Sequence, residues 1–137
     1  MSVKVELERL LEVAEGLGTT PMLLTTDDDG RPRASAVTLT WDGTTARVRA
    51  GHRSVANASV RPLVSLLWPA PPGDRFALLV DGVVQGTERD PDPTDQPSGK
   101  LTDQPTDKPA GGRRGKPGGH VTVLVTNGIL HAVSKPH

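Results

Sequence analysis

Cysteine is absent from this chain of 137 residues, and aromatic side chains are scarce. The lack of cysteine excludes disulfide bonds, thiolate metal sites and cysteine nucleophiles, and it suits the reducing cytoplasm. The aromatic residues are Trp41, Trp68 and Phe76. Three are too few for the stacking platforms on which proteins bind single-stranded nucleic acid. A core of valine, leucine and alanine instead favours β-structure.

Net charge and long apolar runs are missing too. The 16 basic residues balance the 16 acidic ones, and the pI is about 6.9. No apolar stretch approaches the roughly 20 residues of a membrane span, and the N-terminus lacks a secretory signal pattern. We therefore expect a cytoplasmic protein with neither nucleic acid nor membrane as a partner. The length suits one hydrophobic core, so residues 1–137 are interpreted as a single domain.

The apolar spacing at the start of the chain predicts a helix over residues 3–17. Ser2 is the expected N-cap, and Gly16 and Gly18 are expected to end the helix. From there the pattern changes to short β-prone runs separated by tight turns. Asp27–Gly30 and Asp42–Gly43 both end in Asp-Gly, which is a strong hairpin signal. The three consecutive aspartates of the first turn are interpreted as a solvated hairpin tip and not as a metal site.

The remaining pattern predicts further strands and one small helix. Expected strands cover 22–26, 33–41, 44–50, 63–68, 75–85, 120–126 and 129–133, with a turn at Asn127–Gly128 between the last two. A helix over 55–60, capped by Ser54, interrupts them. We predict a mainly β, α+β fold in which an antiparallel barrel carries an N-terminal helix and a short internal helix.

Residues 89–119 differ in composition from the rest of the chain. They contain six prolines and six glycines, with Leu101 and Ala110 as the aliphatic residues. Such a segment buries too little surface to offset the entropy of ordering, so we expect a flexible loop. Its basic cluster, Arg113 to Lys116, is interpreted as part of a solvated linker.

An anion site is the one piece of ligand chemistry that the residues themselves indicate. Arg53 and Ser54 stand where the small internal helix is expected to begin, and Gly51 precedes them. Free backbone N–H groups and the helix dipole attract negative charge at such a point, and an arginine beside them suits a phosphate. No motif for a hydrolase, a nucleotide-binding loop or a metal site is present, and no catalytic residue is assigned.

The order of several motifs gives a family resemblance. Leu-Leu-Thr-Thr-Asp-Asp-Asp-Gly-Arg-Pro-Arg is followed by His-Arg-Ser-Val-Ala-Asn-Ala-Ser-Val-Arg-Pro-Leu-Val-Ser-Leu-Leu-Trp and then by Leu-Val-Asp-Gly-Val-Val-Gln-Gly. This series resembles the pyridoxamine 5′-phosphate oxidase-like family of FMN-binding split β-barrels. The resemblance covers residues 5–88 well and 120–133 loosely. It implies a split barrel of six to seven antiparallel strands.

The resemblance also implies a cofactor and a partner. Family members are homodimers that hold FMN, or in many relatives a deazaflavin coenzyme, at the subunit interface and act on small-molecule substrates. The implied cofactor-binding residues are Ser35, Ala36, Val37, Thr38 and Thr40 on one strand, His52, Arg53, Ser54 and Asn57 around the small helix, and Trp68. The chain lacks the C-terminal Arg-x-His motif of true pyridoxamine phosphate oxidases, so a different substrate is expected.

Three functional hypotheses follow. The first is a flavin-dependent oxidoreductase, with a deazaflavin-dependent reductase as its variant. The second is a cofactor-binding module without catalysis, because Ser54 stands where the family usually has lysine and one positive charge is therefore missing. The third, a barrel that binds single-stranded nucleic acid, is the weakest because of the few aromatic residues and the balanced charge.

Overall fold

A computed structural model describes residues 2–91 and 118–132 of the chain. Eight strands and two helices follow one another in this part of the molecule. Their bounds are β1 Ser2–Val5, α1 Leu7–Leu17, β2 Met22–Thr26, β3 Pro32–Ala36, β4 Thr38–Asp42, β5 Thr45–Ala50, α2 His52–Val60, β6 Leu63–Trp68, β7 Phe76–Arg89 and β8 Gly119–Ala132. The predicted flexible loop falls largely on residues 92–117, which lie outside the described residues.

All eight strands belong to one antiparallel sheet. Seven of them follow in the order β3-β2-β6-β7-β8-β5-β4, and β1 pairs with the far part of β8. The sheet curls into a half-barrel, which confirms the predicted split β-barrel of the α+β class. The two Asp-Gly turns are also where the sequence predicts them. Gly30 and Gly43 have φ angles of 86° and 64°, a backbone region that glycine enters without steric cost.

The first residues form a strand and not the start of the helix. Ser2 to Val5 pair with His131 to Gly128, and α1 begins only at Leu7. The prediction of a helix from residue 3 with Ser2 as N-cap is therefore wrong at its start. The end at Gly18 is confirmed, whereas Gly16 lies inside the helix. The cause is tertiary: the valine at position 5 reaches the core when this segment pairs with β8.

The strand predicted over residues 33–41 is broken in two at Val37. The Val37 N–H donates to the carbonyl of Pro21 at 3.1 Å, and the Leu39 N–H donates to the carbonyl of Thr19 at 3.0 Å. Up to Ala36 the chain pairs with β2, and from Thr38 onward it pairs with β5. This change of partner makes β3 and β4 the two edges of the half-barrel.

The turn predicted at Asn127–Gly128 is absent, because β8 runs without interruption from Gly119 to Ala132 alongside the equally long β7. A β-bulge between Asp81 and Gly82 accommodates the bend in this pair. Gly128 serves helix packing instead, since a Cβ on it would lie 2.6 Å from Leu10 Cδ1. The prediction relied on the local turn preference of Asn-Gly, which pairing of β8 with β7 overrides.

The hydrophobic core lies on the concave face of the sheet. Its largest fully buried side chains include Trp68, Leu23, Leu66, Leu78, Val48 and Val55. Leu10 and Ala14 of α1 and Ala58 of α2 pack against this face. In the described ranges, neither helix has the length and apolar character needed to cross a membrane.

Candidate functional site

A groove runs along the outer side of β4 and β5, and we call it the β4 groove. Two adjoining cavities of about 480 and 460 Å³ form it, and they share Thr38 and Arg49. Its α2 end is further lined by Thr20, Ala36, Val37, Ala50, Gly51 and Gly118. Its β8 end is further lined by Thr19, Leu39, Thr40, Arg47 and His120. Each cavity is within the range of small-molecule binding sites.

Strand register places hydroxyl groups opposite guanidinium groups in this groove. Thr38 faces Arg49 across the β4–β5 ladder, and Thr40 faces Arg47. The row continues onto β8, where His120 is the partner of Arg49. These residues alternate with Leu39 and the other side chains that point into the core, so the outer face carries only the polar ones.

Both arginines already have carboxylate partners on or beside β7. Arg47 donates to Glu88 at 2.8 Å, and Arg49 forms a bidentate pair with Asp90, in which Nη1 lies 2.9 Å from Oδ1. The Arg49 hydrogen bond lowers the pKa of Asp90, and Asp90 in turn raises the pKa of Arg49. Arg49 is therefore held in place as a permanent cation at the centre of the groove.

Helix α2 begins at the edge of the groove with an open N-terminus. Its N-cap is Gly51, and in the part of the chain that the structure describes no side chain caps its first amides. The prediction that Ser54 caps this helix is wrong, because the helix starts three residues earlier than predicted and Ser54 is buried inside its first turn. Three backbone N–H groups, of residues 52–54, point outward from the helix start.

Arg53 and His52 lie in that first turn and are both exposed to solvent. Neither side chain lines the two cavities. Both residues follow Gly51 within two positions, and Gly51 lines the α2 end of the groove. Among the described residues, a Cβ placed on Gly51 would meet no atom within 4 Å. An anion at this helix start would meet free amides and the exposed guanidinium of Arg53, which also contacts Asp27 at 3.4 Å.

Solved structures with the same fold are available for comparison, whereas no family model and no curated protein matches the chain. An "F420 Reductase" is 24% identical over 80% of this chain and 88% of its own, with a TM-score of 0.54. A stress-protein relative of the pyridoxinephosphate oxidase family from Clostridium acetobutylicum is 16% identical over 96% and 93%, with a TM-score of 0.59. A FAD-binding protein from Mesorhizobium loti is 14% identical over 98% of both chains, with a TM-score of 0.58.

The chain has the fold of the pyridoxamine 5′-phosphate oxidase-like split barrels. The order of the sequence motifs predicts this fold. Solved structures that share the fold include a FAD-binding protein and an F420 reductase. At this level of identity the likeness concerns the fold. The identity of the cofactor and the residues that hold it depend on the groove itself.

Four of the five strand residues expected to bind a cofactor line the groove. Ala36, Val37, Thr38 and Thr40 all line the β4 groove. Ser35 lies just outside it, and its hydroxyl shares a hydrogen bond with that of Ser54, 2.9 Å between the oxygens. The pair joins β3 to α2 directly below the helix start. These strand predictions remain predictions of contact with a ligand.

Two of the other expected residues have a structural partner inside the chain. Asn57 is 4% exposed and donates to the hydroxyl of Thr25 at 3.3 Å, which holds the middle of α2 on β2. Trp68 is 2% exposed, and its indole N–H donates to the carbonyl of Gly18 at 2.9 Å. Its ring stacks on Trp41 with 6.3 Å between centroids. Neither side chain lines the groove.

Asp27 corrects the interpretation of the acidic turn. It is buried, whereas Asp28 and Asp29 are exposed as expected of a hairpin tip. Its Oδ2 accepts from Arg33 Nε at 3.0 Å and from Arg53 at 3.4 Å. The hydrogen bond from Arg33, together with the charges of both arginines, lowers the pKa of Asp27. One carboxylate therefore connects the hairpin to the arginine at the helix start.

Sequence reasoning missed the residues on the far wall of the groove, namely Arg47, Arg49 and His120. The alternation of arginine with small apolar residues along β5 predicts that both arginines face outward. It does not reveal that they stand opposite two threonines, because that depends on the register between β4 and β5.

Proposed function

We propose that this protein is an FMN-dependent oxidoreductase acting on a small molecule, with the cofactor in the β4 groove. One observation carries the proposal: the groove begins at an uncapped helix N-terminus with an adjacent exposed arginine and continues along an edge strand of a split barrel. The shared fold with a FAD-binding protein and an F420 reductase supports a cofactor of the flavin or deazaflavin type.

The phosphate of the cofactor fits the start of α2. The amides of residues 52–54 offer hydrogen-bond donors, and the helix dipole adds partial positive charge. Arg53 adds a cation whose charge is partly neutralised by Asp27, 3.4 Å away. Ser54 contributes only its backbone amide, because its side chain is buried against Ser35. Phosphate binding therefore depends on one side-chain cation, Arg53. A family member with lysine at position 54 would have two.

The ring system of the cofactor fits along Ala36 to Thr40. Thr38 and Thr40 present hydroxyl groups, and β4 is an edge strand among the described strands, with the Leu39 N–H on its open side bonded to Thr19. When bound, the flavin supplies the hydride chemistry of the reaction. The protein then contributes orientation and the positive field of Arg49, and no acid or base of its own is required.

A second copy of the chain is the proposed partner. Two rows of aliphatic side chains cross the convex face of the sheet, Leu63–Val83–Leu124 and Leu67–Leu79–Ile129. Leu63 is 73% exposed, and Val60 beside it is 65% exposed. A polar row, Ser65–Asp81–Asn127, lies between them, and in it the Ser65 hydroxyl donates to Asp81 at 2.8 Å. Exposed apolar rows that flank polar residues favour an interaction site. We propose a homodimer through this face, with the groove at the interface and the protein in the cytoplasm, where its cysteine-free chain is suited.

A deazaflavin coenzyme is the second candidate, because the F420 reductase is among the structures that share this fold. A module that binds the cofactor without catalysis is the third, because of the missing charge at Ser54. The three candidates share the binding site. They differ in which cofactor raises the stability of the folded protein and in whether the bound cofactor is reduced and reoxidised.

Ligand titration tests the proposal. We expect FMN to bind and to raise the melting temperature, since a ligand of the folded state must stabilise it. Arg53→Ala should weaken FMN binding about tenfold or more, as expected for a charge-assisted contact to phosphate. Arg31→Ala is the matched control, because Arg31 is an exposed arginine of the neighbouring turn that lies outside the groove.

Each outcome assigns a candidate. Stabilisation by the deazaflavin coenzyme alone selects the reductase variant, and binding without turnover of any electron donor selects the module. Equal FMN affinity in Arg53→Ala and the wild-type protein contradicts the proposed phosphate site. A folded protein that binds neither cofactor contradicts the proposed function as a whole.

A further inference from the structure

We propose that the β8 end of the β4 groove binds an anionic group of the substrate, a carboxylate or a phosphate, through Arg47 and Arg49. The inference rests on the proposed function, because it assigns the α2 end to the cofactor and the β8 end to the molecule that reacts with it. The two ends adjoin at Thr38 and Arg49, so ligands in them would lie next to each other.

The strand register assembles the donors. Thr40 faces Arg47, and Thr38 faces Arg49, whose partner on the other side is His120. Directly paired residues on one face of an antiparallel sheet have Cβ atoms about 5 Å apart. Two guanidinium groups, two hydroxyl groups and an imidazole thus converge on a cavity of about 460 Å³. No acidic side chain lines this end of the groove, within the described part of the chain.

Arg49 gives the subsite its fixed charge. It is anchored by two hydrogen bonds to Asp90, whose side chain is 30% exposed, and the N–H of Asp90 donates to the carbonyl of Gly118 at 2.9 Å. This anchoring holds the guanidinium at the junction of the two cavities. Its partner neutralises part of the charge, so Arg49 alone would attract an anion weakly.

Arg47 is the side chain that is free to respond. It is 51% exposed and makes one hydrogen bond to Glu88, which is 72% exposed. Exposed ion pairs of this kind contribute little to stability. A guanidinium has five N–H donors, so an oxyanion in the groove can share Arg47 with Glu88 or displace it. Glu88 is therefore a competitor of the ligand and not part of its binding site.

Titration of the FMN-loaded protein tests this subsite. The probes are inorganic phosphate and malonate at constant ionic strength, with chloride as the reference anion, and the readout is the shift of the flavin absorption bands. We expect saturable binding of both probes. Arg47→Gln should weaken it about fivefold, and Glu88→Gln should tighten it about twofold, since removal of the competitor frees the guanidinium. Arg31→Gln is the control and should match the wild-type protein.

Arg47→Gln should lower the affinity for the anion and Glu88→Gln should raise it. A general loss of structure would lower the affinity in both variants, so the two effects distinguish anion binding from misfolding. No saturable shift, or an unchanged affinity in Arg47→Gln, contradicts the subsite while leaving the cofactor site intact. If Arg47→Gln weakens FMN itself, the cofactor phosphate occupies this end and the inference is wrong. A folded protein that does not bind FMN contradicts the proposed function. A protein that binds FMN but not the anions contradicts only the subsite, so the two outcomes are distinguishable.

Discussion

Asp27 links three parts of the molecule at the scale of single residues. Its carboxylate accepts from Arg33 of its own hairpin and from Arg53 at the start of α2. At the other end of the helix, Arg61 Nε donates to the carbonyl of Thr26 at 2.8 Å. The hairpin tip thus holds α2 at both ends, and Asp27 restrains the arginine that we assign to the phosphate.

We predict a distinct acid response from this carboxylate. Its folded-state pKa lies below the unfolded value of about 3.9, so the unfolded chain binds more protons in the window below about pH 4. The stability that Asp27 contributes is complete above that value and is lost as the pH falls through its lowered folded pKa. The gap in urea midpoint between the wild-type protein and Asp27→Asn should therefore be widest above pH 4 and should narrow towards pH 3.

Asp28→Asn is the control for this experiment. Asp28 also contacts an arginine, at 2.6 Å from Arg61, but its side chain is 92% exposed. We expect its replacement to leave the urea midpoint nearly unchanged at every pH. A gap for Asp27→Asn that is independent of pH would show that folding does not change the pKa of Asp27, which contradicts the lowered pKa.

The three aspartates of this turn also show what sequence can predict for a single residue. Asp-Gly at the end of the run predicts the turn, because that preference is local. The sequence treats Asp27, Asp28 and Asp29 alike. Only the fold brings Arg53, 26 residues later in the chain, to one of them and buries it.

At the scale of elements, the N-terminus of α2 determines how an anion is held. Gly51 has extended backbone angles, φ −72° and ψ 167°, which suit an N-cap residue with a side chain. A serine there would place a hydroxyl group on the same amides that we assign to the phosphate. Within the part of the chain that the structure describes, its Cβ would meet no atom within 4 Å.

Gly51→Ser should therefore change stability and affinity in opposite directions. We expect the free energy of unfolding without ligand to rise by a few tenths of a kcal/mol, because a capping hydroxyl replaces water at the helix start. FMN affinity should fall several-fold, because that hydroxyl competes for the amides. Urea unfolding and FMN titration measure the two quantities. Higher stability together with unchanged affinity would show that the phosphate does not use these amides.

Elements set by local chemistry were predictable, and those set by pairing were not. The end of α1 at Gly18 and the hairpins at Gly30 and Gly43 follow from residue preferences within a few positions. The strand at Ser2–Val5 and the break at Val37 depend on partners that are distant in sequence. The same limit applies to β8, whose local turn signal at Asn127–Gly128 is overridden by pairing with β7.

At the scale of the whole molecule, the convex face of the sheet has two different halves. The half formed by β6 and the adjoining parts of β7 and β8 carries the aliphatic rows that begin at Leu63 and Leu67. The half formed by β4 and β5 carries the polar groove. The order of the motifs predicts the fold and the strand side of the groove, Ala36 to Thr40. It does not predict that one half of the convex face is apolar and the other polar, because that depends on the order of the strands across the sheet.

The apolar half should form the dimer. We expect light scattering to give twice the 14.5 kDa mass of the chain, and Leu63→Asp should shift it to the monomer by placing a charge in a buried interface. Arg9→Asp is the control, because Arg9 is exposed on α1, which packs on the opposite face of the sheet from these rows. A dimer that is unaffected by Leu63→Asp would place the interface elsewhere.

The most direct test of the central claim is a crystal structure of the protein with FMN. We expect the phosphate oxygens within hydrogen-bond distance of the amides of residues 52–54 and of the Arg53 guanidinium, and the ring beside Ala36 to Thr40. A phosphate bound at Arg47, or an FMN molecule outside the β4 groove, would contradict it.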